Sequence, residues 1–392
     1  MKKILIASFD MEIGGVERSL ISMLNHFDYK NYLVDLMLYS HTGELMNLLP
    51  QKTNLISELR AYKTFRMSIT QVLKNREIRI GLARLLAKYK ANLNKSSEKG
   101  YKQMQYMWKY SLPILPKIKK KYDVAISYLW PHYFVAEKVE SKTKIAWIHT
   151  DFSTVETDIE LDIKMWNKFD HIIAVSEDCM NTFVNKYPVL GKKVSVIENI
   201  TTPELVKALA REELVSPMVN DLRFKVITVA RLSYAKGIDQ AVKALKIVKD
   251  RGYHNIVWYV VGYGGDEGEI KKLIAENDLD NQFILLGKKI NPYPYIQVAD
   301  LYVQPSRYEG KAVTVVEAQI LSKPVLITNY PTAKSQVQNE VDGLICELSS
   351  EGIANGILKL YKDHQLRERL INNCKNTDYH NSGVLEKLYS LV

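Results

Sequence analysis

The stretch Ile256-Val257-Trp258-Tyr259-Val260-Val261-Gly262-Tyr263-Gly264-Gly265-Asp266-Glu267 puts three signals side by side. Six consecutive apolar residues suit a strand covered on both faces, where the usual in–out alternation is lost. A glycine cluster then turns the chain, and Glu267–Ala275 follows with helical spacing. The same unit recurs outward in both directions. Before it lie apolar runs at Lys3–Phe9, Leu33–Tyr39, Val124–Tyr128, Lys144–Ile148, His171–Val175 and Val194–Ile197. Around and after it lie Lys225–Val229, Phe283–Leu286, Leu301–Gln304, Pro324–Thr328 and Gly343–Cys346. Amphipathic stretches such as Val16–Phe27 and Ile238–Val248 separate them. Such alternation predicts right-handed βαβ units in open, doubly wound α/β sheets. Two series predict two domains, joined near Thr201–Leu222, where Pro203 and Pro217 break the pattern. Ligands of these folds bind at the carboxyl ends of the strands, so a cleft between the domains is the expected active site.

Composition narrows the class. A chain of 392 residues, 25% charged and 46% apolar, is globular rather than disordered. No apolar run approaches the length of a membrane-spanning helix, and Ile4–Phe9 after Met1-Lys2-Lys3 is too short for a signal peptide. Cys179, Cys346 and Cys374, without a C-x-x-C, exclude a disulfide framework and a cysteine-ligated zinc, and suggest a reducing compartment. The net charge of +10 is uneven. Between Lys52 and Lys121 there are 18 basic residues and only Glu58, Glu77 and Glu98 as acids, so this segment carries +15 and the remainder −5. Ile69, Val72, Leu73, Ile78, Leu82, Leu85 and Leu86 recur there at helix spacing, and Tyr101, Tyr106, Met107, Trp108 and Tyr110 mix with Lys102 and Lys109. Basic residues beside interfacial aromatics suit an anionic lipid surface, at about 1 kcal/mol per cation. A solvated helical insertion with a basic face is the plainer alternative. No nucleic-acid-binding module accompanies the charge, so nucleic acid is not an expected partner.

Four loops carry candidate chemistry. Gly14-Gly15 follows the first strand and opens a helix, where free N–H groups can meet an anion, although such a turn is often only a turn. Arg231 and Lys236 sit in the loop after strand Lys225–Val229, before a helix starting near Gly237, and could clamp a diphosphate or simply be solvated. The Gly262 loop departs from G-x-G-x-x-G, with Glu267 at the third glycine's place and Gly268 one step late, so it reads as a tight turn near a nucleotide rather than a nicotinamide site. The fourth is Tyr308-Glu309-Gly310-Lys311-Ala312-Val313-Thr314-Val315-Val316-Glu317-Ala318. Its carboxylates, Glu309 and Glu317, can take hydroxyls of one long ligand, and the backbone N–H groups of Gly310, Lys311, Ala312 and Val313 can meet a phosphate or sugar oxygen. A glycosidase would need carboxylates flanking one bond; the neighbouring cations favour a phosphorylated leaving group instead.

Taken together, these motifs resemble glycosyltransferase family 4 (group 1), in particular members that build bacterial surface polysaccharides or decorate teichoic acids. The resemblance covers nearly the whole chain apart from the basic insertion. It implies the GT-B fold, with an acceptor-binding Rossmann-like domain over 1–200 interrupted near 52–121, a nucleotide-sugar domain over 201–375, and a helix in 376–392 returning to the first domain. It further implies a retaining transfer from a nucleotide-diphosphate sugar, UDP by family habit, to a glycan, teichoic-acid or lipid-linked acceptor. Arg231 and Lys236 would hold the leaving diphosphate, Glu317 the ribose and Glu309 the donor sugar near its reacting carbon. Gly14 and Gly15 would meet the donor phosphate or make room for the acceptor, and Gly262 would lie beside the donor. His149, at the end of strand Lys144–Ile148, would face the donor sugar, with Asp151 and His132 on the acceptor side. Lys311 departs from the apolar residue often found at its place. No cofactor and no metal are expected, since two cations take a metal's role and no D-x-D stands in a suitable loop. The expected location is cytoplasmic, peripheral on the inner membrane face. A non-catalytic subunit of the same fold, partnering a transferase, is the alternative; an oxidoreductase would leave the cations and paired glutamates unexplained.

Overall fold

A computed structural model describes residues 1–92, 99–153 and 155–392. Lys95 and Glu98 of the basic segment lie outside the described residues. The chain divides into two compact units, residues 1–200 with 382–392, and residues 201–381. In the first, seven parallel strands are β1 (Lys2–Ser8), β2 (Tyr32–Leu38), β3 (Asn54–Leu55), β4 (Tyr122–Ser127), β5 (Ser141–Ile148), β6 (His171–Ala174) and β7 (Val194–Val196), in the order β3-β2-β1-β4-β5-β6-β7. In the second, β8 (Phe224–Val229), β9 (Ile256–Val261), β10 (Phe283–Gly287), β11 (Leu301–Gln304), β12 (Val325–Thr328) and β13 (Leu344–Cys346) lie in the order β10-β9-β8-β11-β12-β13. Each order reverses beside its first strand, between β1 and β4 and between β8 and β11, and such switch points are where open sheets bind ligands.

Burial explains the unbroken apolar runs. Along β9, Ile256, Trp258 and Val260 enter one core, while Val257, Tyr259 and Val261 enter the core on the opposite face. Along β1, Leu5 and Ala7 face one layer, and Ile4 and Ile6 the other. Both sheets are therefore covered on both sides. The terminal helix Val384–Tyr389 belongs to the first unit: Leu385 and Leu388 are buried there, and Tyr389 stacks on Tyr32 at 5.0 Å.

The basic segment is built into the first unit rather than appended to it. It forms helices Arg60–Lys63, Ile69–Lys74, Ile78–Asn92 and Lys99–Ser111. Of the residues expected at a lipid interface, Tyr106, Met107 and Trp108 are core residues instead, and Tyr101 and Tyr110 are partly buried against that core. Trp108 is wholly buried and stacks on Phe65 at 4.4 Å, and Tyr106 and Met107 are buried with it. Large rings bury more apolar surface than any other side chain on this helix, which is why they take its inward side.

Candidate functional site

In the second unit, the loops after β8, β9 and β11 are pinned to one another by backbone. Ala230 N–H donates to the carbonyl of Val261 (3.1 Å), Leu232 N–H to Tyr263 (3.0 Å), and Arg307 N–H to Ala235 (2.8 Å). Two glycines permit this. Gly237 has a left-handed φ of +64°, and a Cβ there would lie 2.0 Å from the carbonyl oxygen of Pro305. A Cβ on Gly262 would lie 1.8 Å from the Ala230 carbonyl oxygen. The glycine requirement at 262 thus comes from supporting the Arg231 loop.

This packing brings Lys236 onto Glu309, 73 residues away. Lys236 Nζ donates to both carboxylate oxygens of Glu309, at 2.7 and 2.6 Å. Glu309 is 7% exposed, and its Oε1 also accepts from Ser306 Oγ (2.6 Å) and Gln304 Nε2 (3.1 Å). Oε1 is therefore saturated, while among the described residues Oε2 accepts from Lys236 alone and keeps acceptor capacity. Arg231 is exposed and makes no ion pair among the described residues. Arg307 is a third cation in these loops, but Asp239 holds it bidentately at 2.7 and 2.8 Å, and its guanidinium lies over the Tyr234 ring at 4.1 Å.

Glu317 lies in the helix Val313–Ile320 and is 3% exposed. Its Oε1 accepts from Tyr293 Oη at 2.7 Å, whereas its buried Oε2 has no hydrogen-bond partner among the described residues. A buried carboxylate oxygen without a donor is costly unless a ligand supplies one. At the start of the same helix Ala312 is extended and offers no side-chain cap, and Val315 N–H donates to its carbonyl at 3.1 Å. Gly310 and Ala312 are buried, and Lys311 and Val313 partly so.

In the first unit, the expected residues gather at the carboxyl ends of β1, β4 and β5. Gly14 is the extended N-cap of helix Gly15–Asn25, again without a side-chain cap. His149 follows β5, and its ring lies 4.7 Å from that of Tyr128. Burial pushes its imidazole down to about 3, with a hydrogen bond to the Tyr128 backbone pulling the other way. The ring is therefore neutral. Its Nε2 is buried without a partner, so the network places the proton on Nδ1, toward the Tyr128 carbonyl. His132 is wholly buried against Trp166 and Phe169, with Nδ1 on Ser127 Oγ at 2.8 Å, and burial beside His149 holds it at about 3. Asp151 is buried and accepts from Ser153 N–H at 2.9 Å, closing a local turn.

Sequence reasoning missed Asp10 at this edge. It is buried just after β1, accepts from Glu12 N–H at 3.3 Å and forms an ion pair with Arg66 of the basic segment. No spacing links residues 10 and 66, although an aspartate between the first strand and a glycine pair was visible.

Residues 212–377 match the family model of the glycosyl transferases, group 1. The matched region contains Arg231, Lys236, Glu309 and Glu317. Among curated proteins, the chain is 25% identical over 248 residues to an uncharacterized glycosyltransferase of Methanocaldococcus jannaschii, which is 62% of this chain and 60% of that protein. It is 32% identical over 168 residues to the capsular polysaccharide biosynthesis glycosyltransferase CapM of Staphylococcus aureus, 41% of this chain and 43% of that one. The chain thus spans about half the length of these relatives. Among solved structures, Anabaena HepE in complex with UDP and glucose superposes with a TM-score of 0.70 at 19% identity, covering 100% of this chain and 99% of that one. The fold class is α/β of the GT-B type, with two Rossmann-like domains in one chain.

Proposed function

We propose that the protein is a retaining glycosyltransferase. It moves a sugar from a nucleotide-diphosphate sugar, UDP in our reading, to a cell-surface glycan, teichoic-acid or lipid-linked acceptor. The observation that carries this is Glu317 Oε2, a buried acceptor with no donor among the described residues, in a helix without a side-chain cap. A ribose hydroxyl is the group that would satisfy it. The group 1 match over the same residues, and a relative in capsular polysaccharide biosynthesis, support the reading.

In this scheme the bond from the anomeric carbon to the β-phosphate oxygen breaks. The acceptor oxygen bonds to that carbon on the same face, and its proton passes to a leaving phosphate oxygen. Arg231 and Lys236 neutralise the charge that develops on the diphosphate, a preorganised term that is often the largest in catalysis. Glu309 aims Lys236 and offers Oε2 to a donor-sugar hydroxyl. In the first unit, neutral His149 offers Nε2 to a sugar hydroxyl. Neither a metal nor a cofactor enters. The protein acts at the cytoplasmic face of a membrane, held there by residues 52–121. Thermal unfolding with UDP, GDP, ADP and NAD tests the donor class. At 100 times its dissociation constant the cognate nucleotide adds about 2.7 kcal/mol, which for a unit of this size is a rise of about 5–10 °C. No shift with any nucleoside diphosphate overturns the proposal in favour of a non-catalytic subunit.

A further inference from the structure

The helix Ile78–Asn92 turns its apolar stripe outward. Ile78, Leu82, Leu85, Leu86 and Tyr89 are 58, 59, 45, 50 and 64% exposed, whereas its buried residues are Ile80, Gly81, Ala87 and Ala91. At 100° per residue, the five exposed side chains fall within an arc of about 100°. The inward Ile80, Ala87 and Ala91 join the core that holds the buried aromatics of Lys99–Ser111, and Gly81 lies against Leu73 of the helix Ile69–Lys74. The edges of the outward face are cationic and exposed, with Arg79 and Lys90 along one side and Lys88 along the other. Lys74 and Arg76 are exposed just before it. The one acid from 60 to 92, Glu77, is ion-paired with Arg60 at 3.2 Å.

We infer that this face inserts into the headgroup–acyl boundary of an anionic membrane, leucines inward and flanking cations at the phosphate level. The inference deepens the proposed membrane contact and rests on it. It moves that contact from the aromatic helix, whose Tyr106 and Trp108 rings are buried, to a different helix, and adds insertion to attraction. A contiguous apolar face rimmed by lysine and arginine has the chemistry of an interfacial helix. A second copy of the chain suits it poorly, because a two-fold contact would set Arg79, Lys88 and Lys90 close to their own counterparts.

Flotation of the full chain with phosphatidylcholine vesicles, with and without phosphatidylglycerol, tests this. The triple variant Leu82→Gln, Leu85→Gln, Leu86→Gln changes only exposed positions, and an unchanged thermal transition confirms its fold. The wild type should float with anionic vesicles only, and the triple variant should partition at least about 10-fold less, since each leucine contributes apolar area on insertion. The conservative pair Leu82→Met, Leu86→Met should bind as the wild type does. A glutamine variant that floats like the wild type overturns insertion while leaving the electrostatic contact standing. A wild type that ignores anionic vesicles overturns both. A wild-type dimer that the glutamines dissolve, without vesicle binding, assigns the face to a second copy and also overturns the inference. Sugar transfer is not read in this assay, so failure of the transferase proposal cannot imitate any of these results.

Discussion

Glu317→Gln separates a binding carboxylate from a structural one by moving two observables in different directions. In the free protein Glu317 is a 3%-exposed carboxylate that, among the described residues, has one hydrogen bond, from Tyr293, and one buried oxygen without a donor. Glutamine keeps the shape and can still accept from Tyr293 through its carbonyl oxygen. It removes the buried charge and turns the orphan acceptor into an NH₂ donor. The free protein should therefore melt at the same temperature or higher, because an uncompensated buried charge is lost. Nucleotide binding should weaken. A hydrogen bond to a charged group is worth about 1.5–3 kcal/mol, so losing the ribose contact should weaken UDP roughly 10- to 100-fold. At a UDP concentration of 100 wild-type dissociation constants, a 100-fold loss cuts the stabilisation from about 2.7 to about 0.4 kcal/mol. In a thermal scan the UDP-induced rise should nearly vanish. The reasoning is refuted if the free variant melts several degrees lower while the UDP-induced rise is intact, for then Glu317 serves the fold and not the nucleotide.

The two loop cations should behave differently. Arg231→Ala removes an exposed side chain without an ion pair among the described residues, so transfer should fall by roughly 100-fold or more with no change in melting temperature. Lys236→Ala should lower transfer similarly but also destabilise, because it leaves the carboxylate of Glu309 buried without its cation; equal melting temperatures for the two variants would contradict the pairing. Stability should also depend on pH through His132 and His149. Both are held at about 3 when folded, below the ordinary value of 6.5, so the unfolded chain binds more protons between those limits. The histidine contribution is complete above about pH 6.5 and is lost as pH falls toward 3, with a limiting slope of about 1.4 kcal/mol per histidine per pH unit. Asp162, pushed up to about 6 by burial, contributes with the opposite sign as pH rises from 3.8 to 6, so the check is a difference. Wild type minus His132→Phe should shrink steadily in acid, and a difference independent of pH would show His132 to be charged in the fold.

How far the sequence could be read follows from which interactions are local. All twelve apolar runs became strands, because a strand buried on both faces writes its burial continuously into the chain. The seventh strand of the first sheet, Asn54–Leu55, pairs at an edge through two residues only, and two residues carry no periodicity. The site loops were legible as loops after strands, which places Arg231, Lys236, Glu309 and Glu317 in one unit. The Lys236–Glu309 and Asp10–Arg66 pairs were not, since each depends on how separate segments are brought together.

The basic segment shows the same limit more sharply. Helical spacing reports that a stripe exists, not which way it points. Two neighbouring helices there both carry apolar residues, and both would read as amphipathic. Their competition is settled by shape. Trp108, Tyr106 and Met107 take the core around Phe65, Tyr62 and Tyr39, where flat rings stack. The partner helix packs inward through Ile80, Ala87 and Ala91, with Gly81 against Leu73. Its leucines are left on the outside because the opposite side is the one that fits, and a contiguous exposed apolar face of this kind is rare on a protein surface.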